Sequence, residues 1–415
     1  MNETEARVAV RRALRALIVP VMLVVFGAGA ARAYDRDETY TKSVPLQGAI
    51  RVLILNSRGD VKVIGEKGRS DISCEYTKRI RGRSQEEADR LFNLTDVDVT
   101  REDGGIKISV RYPDQSRSDR NVIALLMQRY EALSVDVDVM VPAELDVKRE
   151  DGEIKISVRY PDQSRSDRNV IAFLMQRYEA LSVDVNVMVP AELDVKIITA
   201  SGDVQLASVA GASEVTAASG SVEATGIGKL RIDVSSGDMT ISGVTGNAFL
   251  SSASGDIEAH HVSGDAAVRS ASGDITLSEI GGDLTAASTS GDVTVNGVRG
   301  VVFSGTSGSA QFTGVRGKVA ASAASGDVEV VASPTSAANY EIRTSSGQIE
   351  LRFDNAVKGG FALKAQTTSG DISVTLPIKV TKVTRHYLSG VVREGRSVVV
   401  LETASGDITV SEPEE

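Results

Sequence analysis

Tryptophan is absent from this 415-residue chain, aromatic side chains make up only 4% of it, and it holds one cysteine and three histidines. Each shortage removes a possibility. With few large rings to bury, the interior has to be narrow and filled by small aliphatic side chains. A single thiol cannot close an internal disulfide. Cys74 lies in Asp71-Ile72-Ser73-Cys74-Glu75-Tyr76, where alternation turns it inward, so a buried and inert thiol is expected. The histidines, His260, His261 and His386, bring no metal-ligand spacing and no nucleophile–base pair with them. As neighbours on a strand, His260 and His261 should point to opposite faces, an exposed pair without a catalytic role. A P-loop and a dinucleotide fingerprint are missing as well. The expectation is a chain with no catalytic, cofactor-binding or metal-ligating residues.

Excess positive charge is also lacking: 46 Lys and Arg stand against 56 Asp and Glu, a net charge of −10. An acidic surface disfavours nucleic acid and anionic lipid as direct partners. The long apolar run of a membrane-spanning helix is missing too, since the one from Ala16 to Phe26 is short. It follows Arg7, Arg11, Arg12 and Arg15 and precedes the small-x-small site Ala31-Arg32-Ala33, the layout of a secretory signal peptide over residues 1–33. Its removal would take away five Arg and two Glu and leave the mature chain more acidic still. The protein is therefore expected to be exported, to the periplasm, cell surface or medium, with no integral membrane segment after cleavage.

What the chain does have is a period. Ser-Gly pairs recur in one phase down its C-terminal half, with Gly202, Gly220, Gly237, Gly255, Gly273, Gly291, Gly308 and Gly326 spaced by 17 or 18 residues, then Gly347, Gly370 and Gly406 more widely. A fixed period of this length marks a solenoid. After each glycine the second and fourth residues are apolar and the one between is polar, as in Val204/Gln205/Leu206, Ile257/Glu258/Ala259 and Val293/Thr294/Val295. That is a strand with one buried face. A second landmark glycine falls about half a period later, at Gly211, Gly228, Gly246, Gly264, Gly282, Gly300 and Gly317, ahead of a wall of smaller residues such as Ala248/Leu250 and Ala266/Val268. Each unit thus reads as two short strands and two turns.

Glycine reaches positive φ freely and Asp bonds neighbouring amides, so these glycines and Asp203, Asp238, Asp256, Asp274, Asp292 and Asp327 are expected to be structural turn residues. One coil cannot bury its apolar face alone; coils must stack in parallel. The fold expected is all-β, a parallel β-helix or β-solenoid with about 18 residues and two short strands per coil and minor helical insertions. A hairpin meander would not keep one turn at one phase.

Upstream, residues 34–100 read as N-terminal strands that begin the solenoid, with Ser84-Gln85-Glu86-Glu87 opening a short helix through Phe92. Residues 101–148 and 149–196 are one 48-residue segment written twice, differing only at Gly105/Glu153, Leu125/Phe173 and Asp138/Asn186. A solenoid could take the second copy as added coils. Within the copies Asn121–Leu133 and Asn169–Leu181 have helical periodicity. The regular solenoid should occupy 197–411, with irregular coils after Ser325 blunting its edge, before the acidic tail 412–415.

The Ser-Gly-Asp turns, the strand ending Met188-Val189-Pro190 and the closing Thr403-Ala404-Ser405-Gly406-Asp407-Ile408 together resemble a bacterial family of unknown function called "putative adhesin", over roughly residues 46–411. The resemblance implies an exported repeat-built β-solenoid and is silent on chemistry. Three functions fit. The first is a non-enzymatic binding or scaffold protein of the bacterial envelope, adhesin-like, whose polar columns meet an extended glycan, an envelope polymer or another surface protein. The second is a calcium-stabilised secreted β-roll using the stacked aspartates. The third is a polysaccharide-processing β-helix enzyme.

Overall fold

A computed structural model of the protein describes residues 34–82, 84–102, 104–112, 144–150, 153–159, 181–333, 339–354, 360–393 and 397–412. The signal-peptide segment and most of the two helical stretches inside the copies lie outside these residues. The chain is all-β: 29 strands join one continuous sheet, with one helix among the described residues.

The N-terminal elements are β1 (Tyr34–Pro45), β2 (Arg51–Asn56), β3 (Val61–Glu66), β4 (Asp71–Gly82), α1 (Gln85–Leu94), β5 (Asp96–Glu102), β6 (Gly105–Arg111), β7 (Glu144–Glu150), β8 (Glu153–Arg159), β9 (Leu181–Pro190) and β10 (Asp194–Thr199). β2 and β3 already form the first coil. β2 pairs in parallel with β10, Val52 beside Val195, and β3 pairs in parallel with Val204–Ala207, Val61 beside Val204. The chain between them builds the N-terminal end, where β1, β4 and β9 run antiparallel, β5 and β6 form a hairpin, and α1 lies against β4 and β1.

From β10 as far as Ile349–Phe353, each strand pairs in parallel with the equivalent strand of the neighbouring coil. On one wall Val204, Val222, Met239, Ile257, Ile275, Val293, Ala310, Val328, Ile349 and Ile408 stand in line. On the other, Ile197, Val215, Ile232, Leu250, Val268, Ala286, Phe303, Ala321, Ile342 and Leu401 do the same. All of these are buried. The result is a β-solenoid-like body in which two walls of the one sheet enclose a thin core of Val, Ile, Leu and Ala. Where rings enter the core they meet one another: Phe303 on one wall packs edge-on against Phe312 on the other, with centroids 5.4 Å apart.

Inward alternation also buries Cys74, and its thiol is pushed up to about 12 by desolvation. A nucleophilic thiolate is thereby excluded near neutral pH.

One expectation needs correction. The doubled segment does not become added coils: β7 and β8 pair only with each other, in a two-stranded sheet apart from the large one. The C-terminal coils are looser, as expected, but they do not stack in chain order: the turn of Gly406 lies between those of Gly347 and Gly370. The chain leaves after Ile349–Phe353, lays down Phe361–Gln366, Ile378–Thr384 and Tyr387–Val392, and then returns. Ser397–Ser405 slides between Tyr340–Ser346 and Phe361–Gln366, parallel to both. Beyond Phe361–Gln366 the pairings are antiparallel, so the parallel stack ends on a meander.

Candidate binding surface

The Ser-Gly-Asp turns form one edge of the solenoid. At Gly255, Gly273 and Gly291, φ is 113, 112 and 119°. A Cβ on Gly273 would also stand 2.2 Å from the carbonyl oxygen of Gly255 one coil below. Glycine is needed here twice over, for the left-handed backbone and for the closeness of the stacked turns. Gly202, Gly220, Gly237, Gly308 and Gly326 repeat the arrangement, each against the turn glycine of the coil before it.

The aspartates complete this edge as a ladder. The N–H of Asp256 donates to Asp238 Oδ1 (3.0 Å), Asp274 to Asp256 (2.8 Å), Asp292 to Asp274 (2.8 Å) and Ser309 to Asp292 (2.8 Å). Asp203 likewise receives the N–H of Ser221 and Asp327 that of Gln348, at 2.9 and 2.8 Å. Each carboxylate thus accepts a charge-assisted bond from the next coil, which offsets repulsion along the column. Behind it runs a column that sequence reading missed. The hydroxyls of Ser252, Ser270, Ser288, Thr344 and Thr403, all on buried residues, donate to turn carbonyls. The signal was a Ser or Thr on the inward phase of the second strand.

The opposite corner holds a second left-handed column: Ser208, Gly226, Gly243, His261, Glu279, Gly297 and Gly314, with φ between 57 and 80°. The half-period glycines did not reveal it, because it sits two or three residues before them. It also corrects the reading of the histidine pair. Left-handed backbone at His261 breaks the alternation, so His260 and His261 both leave the core, between buried Ala259 and Val262. His261 Nε2 lies 2.8 Å from Glu279 Oε2, and two non-glycine residues in the strained region are neighbours in the column. Beside them a shallow groove of about 460 Å³, floored by Gly297 and Gly314, is rimmed by Glu279, Arg316 and Ser333.

His260 takes part in a second set of contacts. Its Nδ1 is 2.5 Å from Ser278 Oγ and its Nε2 is 2.8 Å from Glu258 Oε1. Serine, histidine and glutamate in line are the ingredients of acyl transfer, but the strand around Ser278 is in the parallel ladder, so its amides do not gather into an oxyanion site. His386 is elsewhere, near Gly370 in the C-terminal meander. Among the described residues no group of three or more His, Cys, Asp or Glu side chains is placed to hold a metal ion.

The outward faces are broad and repetitive. One wall presents Lys62, Gln205, Glu223, Thr240, Glu258, Thr276, Thr294, Gln311, Glu329 and Glu350 in register from coil to coil. The other carries Phe249 with the Arg231 guanidinium 4.1 Å and that of Arg269 6.0 Å from its ring centre. Arg231 Nε also bonds Asp233 Oδ2 at 2.9 Å, while burial pushes the Asp233 carboxyl above its ordinary value.

No helix among the described residues is long and apolar enough to cross a membrane. Comparison with solved structures finds a "putative cell adhesion protein" of Clostridium sporogenes, at 8% identity and TM-score 0.19, covering 91% of this chain and 100% of that one. A "putative lipid binding protein" of Parabacteroides distasonis, at 12% and 0.30, covers 91% and 97%. A "putative adhesin" of Bacteroides fragilis, at 10% and 0.20, covers 90% and 97%. Likeness at these scores carries no functional argument. No curated protein matches the chain. The family model described as Toastrack DUF4097 matches residues 51–299 and again 250–411, nearly the whole solenoid, and the chain belongs to that family.

Proposed function

We propose that the protein is an exported, non-enzymatic β-solenoid of the bacterial envelope that binds an extended partner along its side, adhesin-like in architecture. Its unit is the coil of about 18 residues with two strands. The observation that carries this reading is the polar column from Lys62 to Glu350, one exposed or half-exposed side chain per coil in a continuous parallel register. An extended glycan, an envelope polymer or another surface protein meets such a face through many weak, repeated contacts. The Phe249 ring between two guanidiniums offers one stacking position on the other wall. The acidic balance, net −10, supports a partner other than nucleic acid.

In this reading the turn glycines and aspartates serve the fold. The carboxylates of Asp238, Asp256, Asp274 and Asp292 are each engaged with an amide of the next coil, which favours a self-contained ladder over the calcium-stabilised β-roll. Unchanged circular dichroism and thermal midpoint on adding millimolar calcium are expected; calcium-dependent folding would restore the β-roll. Residues 1–33 are proposed as the export signal. Protease shaving of intact cells carrying a tagged copy, with a periplasmic control protein, tests the placement. Loss of the tag supports a surface binding role. Protection until the outer layer is disrupted would replace it with an internal envelope scaffold.

A further inference from the structure

The solenoid needs one copy of the doubled segment, and it uses halves of two. β6, from the first copy, pairs with β2, placing Ile106 and Ile108 beside Val52 and Ile54. β9, from the second copy, lies between β3 and β4, with Val185 beside Val61 and Val187 opposite Cys74. The other two halves contain near-identical strands. β8 repeats β6 from Ile154 to Arg159, yet it pairs with β7 outside the main sheet. Residues 133–142 repeat β9 with one change, Asp138 for Asn186. Each of the two slots therefore has two candidate strands in the same chain.

We propose that residues 105/153 and 138/186 select the threading, and that the stretch between Tyr112 and Pro161 is surplus to the solenoid. At the β6 slot the first copy has Gly105, buried against Arg51. A Cβ there would stand 2.8 Å from Arg51 Cγ and 3.1 Å from the Arg51 carbonyl oxygen. Glu153, its counterpart, carries that Cβ and a carboxylate beyond it. The second copy's strand thus enters this slot only if Arg51 moves. Continuity adds to the choice: Thr95 bonds back to Leu91 at the end of α1, and β5 follows at once to form the hairpin with β6.

At the β9 slot the preference reverses. Asn186 lies across from Glu75 on one side and beside Lys62 on the other, and its buried Oδ1 accepts no hydrogen bond from the described residues. Asp138 in its place would bring a carboxylate oxygen to a buried position that accepts no hydrogen bond among the described residues, opposite the Glu75 carboxylate, with Lys62 on the other side as the one favourable charge. The exit from the slot points the same way. β9 turns tightly into β10, the Leu193 N–H donating to the Pro190 carbonyl at 3.1 Å, and β10 buries Ile197 completely. The first copy runs on to Arg149 where the second runs on to Ile197. A guanidinium would then enter the core between Ile54 and Val215. Two of the three differences between the copies, at 105/153 and 138/186, thus fall where the observed threading discriminates.

Cys74, the single thiol, is a ready probe. The variant Val187→Cys, refolded under oxidising conditions, is expected to form an intrachain disulfide with Cys74, mapped by peptide mass. Val139→Cys, the equivalent position of the first copy, is expected to leave both thiols free. Exchanging the selectors, Asp138→Asn with Asn186→Asp, should raise the disulfide yield of Val139→Cys several-fold. A second measurement is independent of thiol geometry: deletion of residues 113–160, which rejoins Tyr112 to Pro161 in the native order and removes, of the described strands, only β7 and β8, should fold with the strands of the large sheet retained and a thermal midpoint no lower than that of the full chain. Equal disulfide yields from the two cysteine variants, or a deletion variant that does not fold, would overturn the proposal.

Discussion

At the scale of single residues, the stacked glycines and the strained corner make opposite demands that look alike in sequence. Gly273 has φ of 112° and no room for a Cβ beneath the Gly255 carbonyl, so Gly273→Ala should lower stability by at least ~2 kcal/mol in urea unfolding. Glu279 is the reverse case. It occupies φ of 57°, where its neighbour in the column, Gly297, pays no steric penalty, and it contributes one exposed contact to His261. Relief of left-handed strain is worth about 1 kcal/mol, and an exposed ion pair is worth little. Glu279→Gly should therefore be neutral or slightly stabilising by the same measurement. In the aspartate ladder, Asp256→Asn keeps the oxygen that accepts the Asp274 N–H and should cost little, whereas Asp256→Ala should cost about 1 kcal/mol.

At the scale of elements, each strand is held by its two neighbours and by the wall it faces, so damage should stay local. Phe312 is fully buried and touches Phe303 across the core; Phe312→Ala should cost about 3–5 kcal/mol. Hydrogen exchange should rise in the coils around residues 293–330 and change little around 204–250. The returning strand Ser397–Ser405 carries a charge cluster of its own, with Glu402 Oε1 2.6 Å from Lys364 Nζ and Oε2 3.0 Å from Arg343 Nε. Hydrogen bonds from Lys364 and Arg343 hold the Glu402 carboxyl below its ordinary value. A carboxyl depressed in the folded state adds stability above its unfolded pKa and loses it as pH falls through the folded one. Glu402→Gln should therefore lower stability at neutral pH, by less than about 1 kcal/mol for so exposed a group. The difference from wild type should vanish in acid.

At the scale of the whole molecule, the two ends decide whether the rod stays single. Among the described residues the last strand of the meander, Ile378–Thr384, pairs on one side alone, with Val380 and Val383 exposed and Lys379 and Lys382 interrupting them. Charged residues on an edge discourage pairing with another sheet. Replacing both lysines by valine should produce concentration-dependent end-to-end association in light scattering. At the other end, shortening the link between β6 and β9 by deletion of residues 113–160 removes loop-closure entropy, a gain of about 1 kcal/mol if nothing else changes.

The parallel stacking of coils was legible in the sequence because it is a local matter repeated: alternation sets which side chains turn inward, and one Ser-Gly turn per period sets where the chain bends. Cys74 was placed correctly by the same alternation. What alternation could not carry was any place where the backbone leaves the strand region or where distant segments compete. The left-handed column at His261 and Glu279 sends two adjacent side chains outward, and nothing in a hydrophobicity pattern marks a positive φ when the residue is not glycine. The strand Ser397–Ser405 slips in beside Tyr340–Ser346 because pairing depends on an open edge, a property of the folded sheet. The doubled segment shows the division most plainly. The chain writes the strands of two slots twice, and in our proposal the crowding at Arg51, the surroundings of the Asn186 oxygen and the burial of Ile197, all created by tertiary packing, distinguish the copy that enters each.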